Sequence, residues 1–309
     1  IVEHTTDNNL MKFRFQNATV KMQAAEEDFE IAGPSTGLGT GKKFRAGAFI
    51  IPSADRATLE PMLKDLGLSA WAVASAPSVR THDLDVPRIG YVHSWARTQD
   101  EGWVRAALDT YGVPYTYFGD VKLREGNLRA KYDVIIFPHV GAGNAQAHVN
   151  GIPKIGSAPL PYKKTPEYPS LGANDSAEDI RGGMGWEGLM ELVSFVRAGG
   201  TLITEGSTST ILPSYNVTNG VTLESPTGLF VRGSILRGVF ADKRSPLAYG
   251  FDGAQLPVYF NQEPVMNVGG GALAGFGGRG GGVEIPGVGM NVTPMAGAAN
   301  QRITPYDPE

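Results

Sequence analysis

The chain has 309 residues and no cysteine. Disulfides, thiolate metal sites and cysteine nucleophiles are therefore excluded. No apolar run reaches the roughly 18 residues that a membrane-spanning helix needs. A basic surplus is also missing. Lys and Arg number 27 against 31 Asp and Glu, a net charge of −4, whereas nucleic-acid binding needs clustered positive charge. Histidine is scarce. None of the five (His4, His82, His93, His139 and His148) begins an H-x-x-E or H-E-x-x-H pattern, so no helical pair of zinc ligands exists. The strand–turn–helix serine signature G-x-S-x-G is absent as well.

What is present suits a soluble globular protein. Apolar residues make up 41% and charged residues 19%, enough for a sizeable core. The length allows two ordinary domains or one large one. The first residue is Ile1 and no signal peptide is visible, so the expectation is a processed chain or a piece of a longer one. N-x-[ST] sites stand at Asn17, Asn174, Asn216 and Asn291, and they matter only in a glycosylating host.

Residues 1–85 read as a small α/β unit. "FRFQNATVKM" and "KKFRAGAFIIP" alternate in part and predict strands between Phe13 and Ile51. "SADRATLEPMLKDLGL" predicts a helix capped by Ser53, with Leu59, Met62, Leu63 and Leu66 on its apolar face. "SAPSVRTHDLDVP" reads as the linker. Residues 86–309 then alternate strand and helix. "RIGYVHSW", "PYTYFG", "YDVIIFPHV" and "TLITEG" are the strands, the last two expected to be buried. "DEGWVRAALDTYG" and "WEGLMELVSFVRAGG" are the helices. The first buries Trp103, Ala107 and Leu108 and stops at Gly112; the second buries Leu189, Leu192, Val193 and Val196. This alternation predicts an α/β fold, a doubly wound and mainly parallel sheet. Between "FPHV" and "WEGL", near 139–183, lies a loop of about 45 residues, and loops of that length are usually functional. Later segments ("GLFVRGSILRGVF", "PLAYGF", "PVYFNQEPVMNV") read as short β structure. A Gly-rich insertion near 267–292 reads as flexible. The sequence stops after it without a closing element, which predicts a domain incomplete at its C-terminal end.

Four motifs bear on chemistry. His93 and His139 fall at the C-terminal ends of predicted parallel strands, where open α/β sheets bind ligands; hydrogen-bonded capping of the strand ends is the favoured alternative. "GLGTGKK" is close to a phosphate-binding loop, but Thr36 and Lys43 occupy two of its required positions, so a hairpin loop is expected. Ser207 and Ser209 follow a strand beside Glu205 with no base assigned to them. Asp100 or Gln99 is placed as a helix N-cap with Glu101 in the first turn, where carboxylates stabilise free N–H groups. Capping is therefore the expected role of the Asp100–Glu101 pair, and a ligand role stays open for His93 and Trp95.

The run "RIGYVHSW…DEGWVRAALDTYGVPYTYF", with "NLRAKYDVIIFP", "LVSFVRAGGTLITEGS", "GSILRGVFADKRSPLAYGF", "YFNQEPVM" and the late "NVTPM", resembles the C-terminal class I glutamine amidotransferase-like (flavodoxin-like) region of bacterial zinc carboxypeptidase-like proteins, of the carboxypeptidase A-type metallopeptidase family. The resemblance covers about Arg88 to Glu309; "GKKFRAGAFIIP" is more loosely similar to the segment that precedes that region. It implies a secreted or periplasmic hydrolase as the parent, whose zinc sits in an N-terminal peptidase domain that this chain lacks. Amidotransferases of this fold use a cysteine nucleophile, so no family catalytic residue carries over. The expectation is a non-catalytic accessory region, with no cofactor of its own, that supports or assembles with the peptidase domain or other copies of the chain as a homo-oligomer. Two alternatives are carried with it. One is a peptide- or glycan-binding module using His93, Trp95, His139, Glu205 and Ser207 at the strand C-termini. The other is a structural or assembly subunit. Neither nucleic acid nor a membrane span is expected.

Overall fold

The computed structural model describes residues 1–32, 41–98, 100–141, 144–225, 227–228, 230–231, 233–261 and 264–268. The Gly-rich insertion from 269 onward, the C-terminal end, Asn291, Gln99 and the first part of the "GLGTGKK" loop lie outside the described residues.

The N-terminal unit opens with helix α1 (Asn9–Gln16), where strand structure was expected from Phe13. Leu10, Phe13 and Arg14 are three and four residues apart and face inward together, so helical spacing prevails over local β propensity. Arg14 is held there by the carbonyls of Leu84 and Asn17. Strand β1 (Gln23–Ala25) is the centre of an antiparallel sheet, and β2 (Phe29–Ile31) pairs with β3 (Lys42–Phe44). The outer strands of that sheet are β4 (Phe49–Ile50) and β5 (Thr81–Asp83). The expected linker therefore contributes a strand. Helix α2 (Arg56–Asp65) is capped by Asp55, whose carboxylate accepts from Ala57 N–H at 3.1 Å, and not by Ser53. Leu59, Leu63 and Leu66 join Val2, Phe13, Met22 and Phe49 in one core.

The second unit is built on β6 (Ile89–His93), β7 (Thr116–Gly119), β8 (Val134–Phe137) and β9 (Thr201–Thr204). The four strands are parallel in the order β7-β6-β8-β9. All five residues of β6 are buried, as expected of an inner parallel strand. β9 is an outer strand with Thr201 and Ile203 exposed, which corrects its expected burial. Between these strands run α3 (Glu101–Thr110), α4 (Leu128–Lys131), α5 (Ala145–Asn150) and α6 (Gly185–Arg197). α6 packs Leu189, Leu192 and Phe195 onto Ile135, Phe137 and Leu123. Val196, assigned to that stripe from sequence, is exposed and Phe195 takes the inward position.

α3 departs further from expectation. Trp103 is 77% exposed and Ala107 is also on the outside. The helix turns Glu101, Val104, Arg105 and Leu108 toward the sheet instead. The surface it meets is aromatic and polar, made of Tyr91, Tyr115 and Tyr117. Tyr91 donates to the Glu101 carbonyl at 2.9 Å, and the Arg105 guanidinium lies 3.9 Å from the Tyr117 ring centre. Gly112, at φ +65°, ends the helix as expected.

Beyond β9 come α7 (Ile211–Ser214), the pair β10 (Val221–Glu224) with β13 (Val265–Val268), and the hairpin β11 (Ser234–Val239) with β12 (Gln255–Phe260). "PLAYGF" holds a short 3-10 turn, Pro246–Ala248, rather than a strand. It brings Gly250 back to the N-terminal unit, where Arg45 donates to its carbonyl at 2.9 Å and pairs with Asp252. The architecture is mixed α/β: one four-stranded parallel sheet with several small antiparallel ones.

Candidate functional site

Parallel register aligns the carboxyl ends of the sheet. His93, the last residue of β6, lies beside Gly119, the last of β7. The chain leaves β6 through Ser94–Asp100 and re-enters as α3, so Glu101 returns to the same edge. The long loop then folds over it. An Ile152–Arg181 bridge and a Tyr162–Ala177 pair fix the loop on itself, and the Arg181 guanidinium ties Asp179 to the Ile155 carbonyl. Together they line an open pocket of ≈ 310 Å³, within the range of small-ligand sites. Its walls include His93, Trp95, Glu101, Arg105, Tyr117, Tyr162 and Asp175.

Asp175 is the pivot of this pocket. Its side chain is 3% exposed. Oδ2 accepts from Gly119 N–H at 2.7 Å and from His93 Nε2 at 3.1 Å, and Oδ1 pairs with Lys122. A carboxylate accepts, so Nε2 of His93 carries the proton, and Nδ1 has no partner. Burial pushes the Asp175 carboxyl up. The bonds from His93, Lys122 and Gly119 outweigh that burial and hold it below the ordinary carboxylate value. The His93 ring stacks on Tyr117 at 4.4 Å and meets the edge of Trp95 at 4.5 Å, and Trp95 in turn leans on Tyr162 at 4.8 Å.

Glu101 is the other buried carboxylate lining this pocket, 2% exposed. Oε1 accepts from the Tyr117 hydroxyl, and Oε2 has no partner. Burial raises its pKa; Tyr117, His93 and Arg105 oppose the rise without cancelling it. The expected capping role is therefore corrected. Asp100 makes no side-chain cap bond and instead faces His139 Nε2 at 3.7 Å. The Glu101 side chain turns away from the helix N–H groups into the pocket, because the tyrosine face of the sheet offers it a donor.

The residues singled out from sequence do not converge on one pocket. His93 and Trp95 line it. His139, Glu205 and Ser207 form a second group beyond β8 and β9. His139 Nδ1 accepts from Ser207 N–H at 3.0 Å, and the Ser207 hydroxyl accepts from Val140 N–H at 3.3 Å. Glu205 closes the 3-10 turn Gly206–Thr210 by a reciprocal cap with Thr208. These bonds latch two strand ends together. They leave no serine–histidine pair, since the His139 nitrogen facing Ser207 is bonded to its backbone. Burial raises the Glu205 pKa, with His139 opposing.

Glu101, Arg105, Tyr117, Tyr162 and Asp175 were not foreseen as site residues. The length of the 139–183 loop was the one signal of the loop's part in the site. Gly119 is the residue on which the packing turns. A Cβ there would stand 2.3 Å from Trp95 Nε1 and 3.0 Å from Asp175 Oδ2. Gly119→Ala should therefore displace the indole and cost about 2 kcal/mol, as overpacking does. Urea unfolding followed by tryptophan emission checks this, and an unchanged midpoint and spectrum would count against the packing described.

The chain thus defines an α/β protein with a polar, aromatic pocket at the carboxyl ends of a parallel sheet. Comparison with protein-family models, with curated proteins and with solved structures found no match in any of the three.

Proposed function

We propose that the chain is a non-catalytic, ligand-binding accessory region of a secreted zinc carboxypeptidase-like metallopeptidase, with its sheet of the doubly wound, amidotransferase-like kind. The pocket carries this reading. Its buried acids are anchored to their neighbours: Asp175 to His93, Lys122 and Gly119, and Glu101 through one oxygen to Tyr117. Such a hydrogen-bonded frame suits the holding of a peptide or glycan. Among the described residues no group of three or more His, Asp and Glu side chains is placed to share a metal ion. In this reading the parent's zinc belongs to its peptidase domain.

The test is a titration of the purified chain with short peptides and oligosaccharides, read by NMR. Shifts confined to residues 93–119 and 162–175, weakened by Tyr162→Ala, are expected. Peptide hydrolysis by the zinc-supplemented chain, abolished by a chelator, would overturn the non-catalytic part.

Assembly is favoured by one separate feature. The β11–β12 hairpin exposes Ile235, Val239 and Tyr259 at 67%, 55% and 65%, an apolar surface suited to a second copy or to the peptidase domain. Sedimentation should show self-association that Ile235→Lys abolishes; a monomer at all concentrations counts against self-assembly.

A further inference from the structure

We infer that the pocket at the ends of β6 and β7 recognises a neutral sugar ring, a pyranose unit of a glycan, through Glu101 and the Trp95–Tyr162 aromatic wall. This inference rests on the ligand-binding reading above and narrows it.

The charges decide between ligand classes. The pocket holds two carboxylates, Glu101 and Asp175, and each already has a cation near it. Lys122 pairs with Asp175, and Arg105 lies against Tyr117 close to Glu101. An anionic ligand, such as a peptide C-terminus or a phosphate, would meet both carboxylates. A cationic one, such as an amino terminus or lysine side chain, would meet Arg105. Either would be stripped of water beside a charge of its own sign, and that desolvation is costly. A neutral ligand avoids both penalties.

The unmet polar group points the same way. Glu101 is 2% exposed, lines the cavity and leaves Oε2 without a donor. A buried acceptor of this kind calls for a ligand donor, and a hydroxyl supplies one without bringing charge. The remaining polar lining, Thr98, Ser170 and Asn174, is uncharged and can both donate and accept. Opposite these groups stand the aromatic rings. Trp95 is half-buried and Tyr162 is 36% exposed, so part of the wall is open to a ligand. A pyranose has this pair of surfaces: an apolar C–H face for an aromatic ring and a rim of hydroxyls for a carboxylate and amides. The cavity, ≈ 310 Å³, has room for one or two such rings.

The full chain is titrated at neutral pH with cellobiose, maltose and N,N′-diacetylchitobiose, and in parallel with Gly-Lys and Lys-Gly dipeptides, by NMR. At least one disaccharide should bind in the millimolar range or tighter, with shifts around Trp95, Glu101 and Tyr162. Tyr162→Ala, at a partly exposed position, and Glu101→Gln should each weaken it by tenfold or more while the thermal midpoint of Tyr162→Ala stays within that of the parent chain. Binding of dipeptides without any disaccharide overturns the sugar assignment and leaves the ligand-binding reading standing. Absence of binding by either set at saturating concentration overturns both. Disaccharide binding that survives both substitutions moves the site elsewhere and overturns the inference.

Discussion

Asp175→Ala should destabilise the chain by about 3 kcal/mol, the largest loss expected from any single side chain in the pocket. Two buried donors, Gly119 N–H and His93 Nε2–H, would lose their acceptor together, and each buried donor left unpaired costs roughly 1–3 kcal/mol. Lys122 adds little, because its side chain is 33% exposed and can turn to water. Asp175→Asn separates geometry from charge. Its oxygen can still accept from Gly119 and His93, so about half the loss should return. Urea unfolding of the three proteins reads the difference. Equal midpoints for Ala and Asn, both near the parent, would remove Asp175 from its place as the pivot. The same loss should loosen the loop, since Asp175 is the residue that ties residues 162–175 to the strand ends. Faster amide exchange there would accompany it.

The regular part of this site was legible in the sequence. Strand–helix alternation located β6, and its apolar run placed His93 at a carboxyl edge, so His93 and Trp95 were found by topology alone. Glu101 was found and misread, for a physical reason. An acid in the first turn of a helix looks the same whether it caps free N–H groups or faces inward, and only the partner decides. Here the partner is the hydroxyl of Tyr117, on a strand that had not been placed against α3. Trp103 is outside for the same reason: a helix that docks on tyrosines through Glu101 and Arg105 does not need its most apolar side chain inside. Asp175 carried no signal at all. It is 82 residues from His93 and belongs to a loop whose path is set by its own Arg181–Asp179 and Tyr162–Ala177 contacts. His139 and Ser207 show the converse. Their strand-end positions were read correctly, and their polar atoms are spent on backbone latches.

Asp120→Asn should raise stability at pH 8 and leave it nearly unchanged at pH 4. Asp120 follows Gly119, opens the 3-10 turn Asp120–Glu125 and is fully buried. Neither of its oxygens makes a hydrogen bond of standard geometry. Burial pushes its pKa up to about 7, against the milder pull of His93, Val121 N–H, the Ser94 hydroxyl and Arg124. An unfolded aspartate ionises near pH 4. Between these two values the folded chain binds more protons than the unfolded one, so stability falls as pH rises through the window. Below it both states are protonated and nothing is lost; above it both are ionised and the full cost stands. A separation of about three pKa units corresponds to on the order of 4 kcal/mol. Asparagine resembles the protonated form, keeps an acceptor for Ser94 and Val121, and carries no charge to desolvate. The variant's midpoint should therefore pull ahead of the parent's progressively from pH 4 to pH 7 and run parallel above. Thermal melts at half-unit steps across pH 4 to 8 measure this, and two curves parallel throughout the window would show that Asp120 does not titrate within it. The charge of Asp120 and that of His93 act on each other, so the same proton should alter the pocket: a ligand held there should bind with an affinity that changes across the same window in the parent chain and not in the variant.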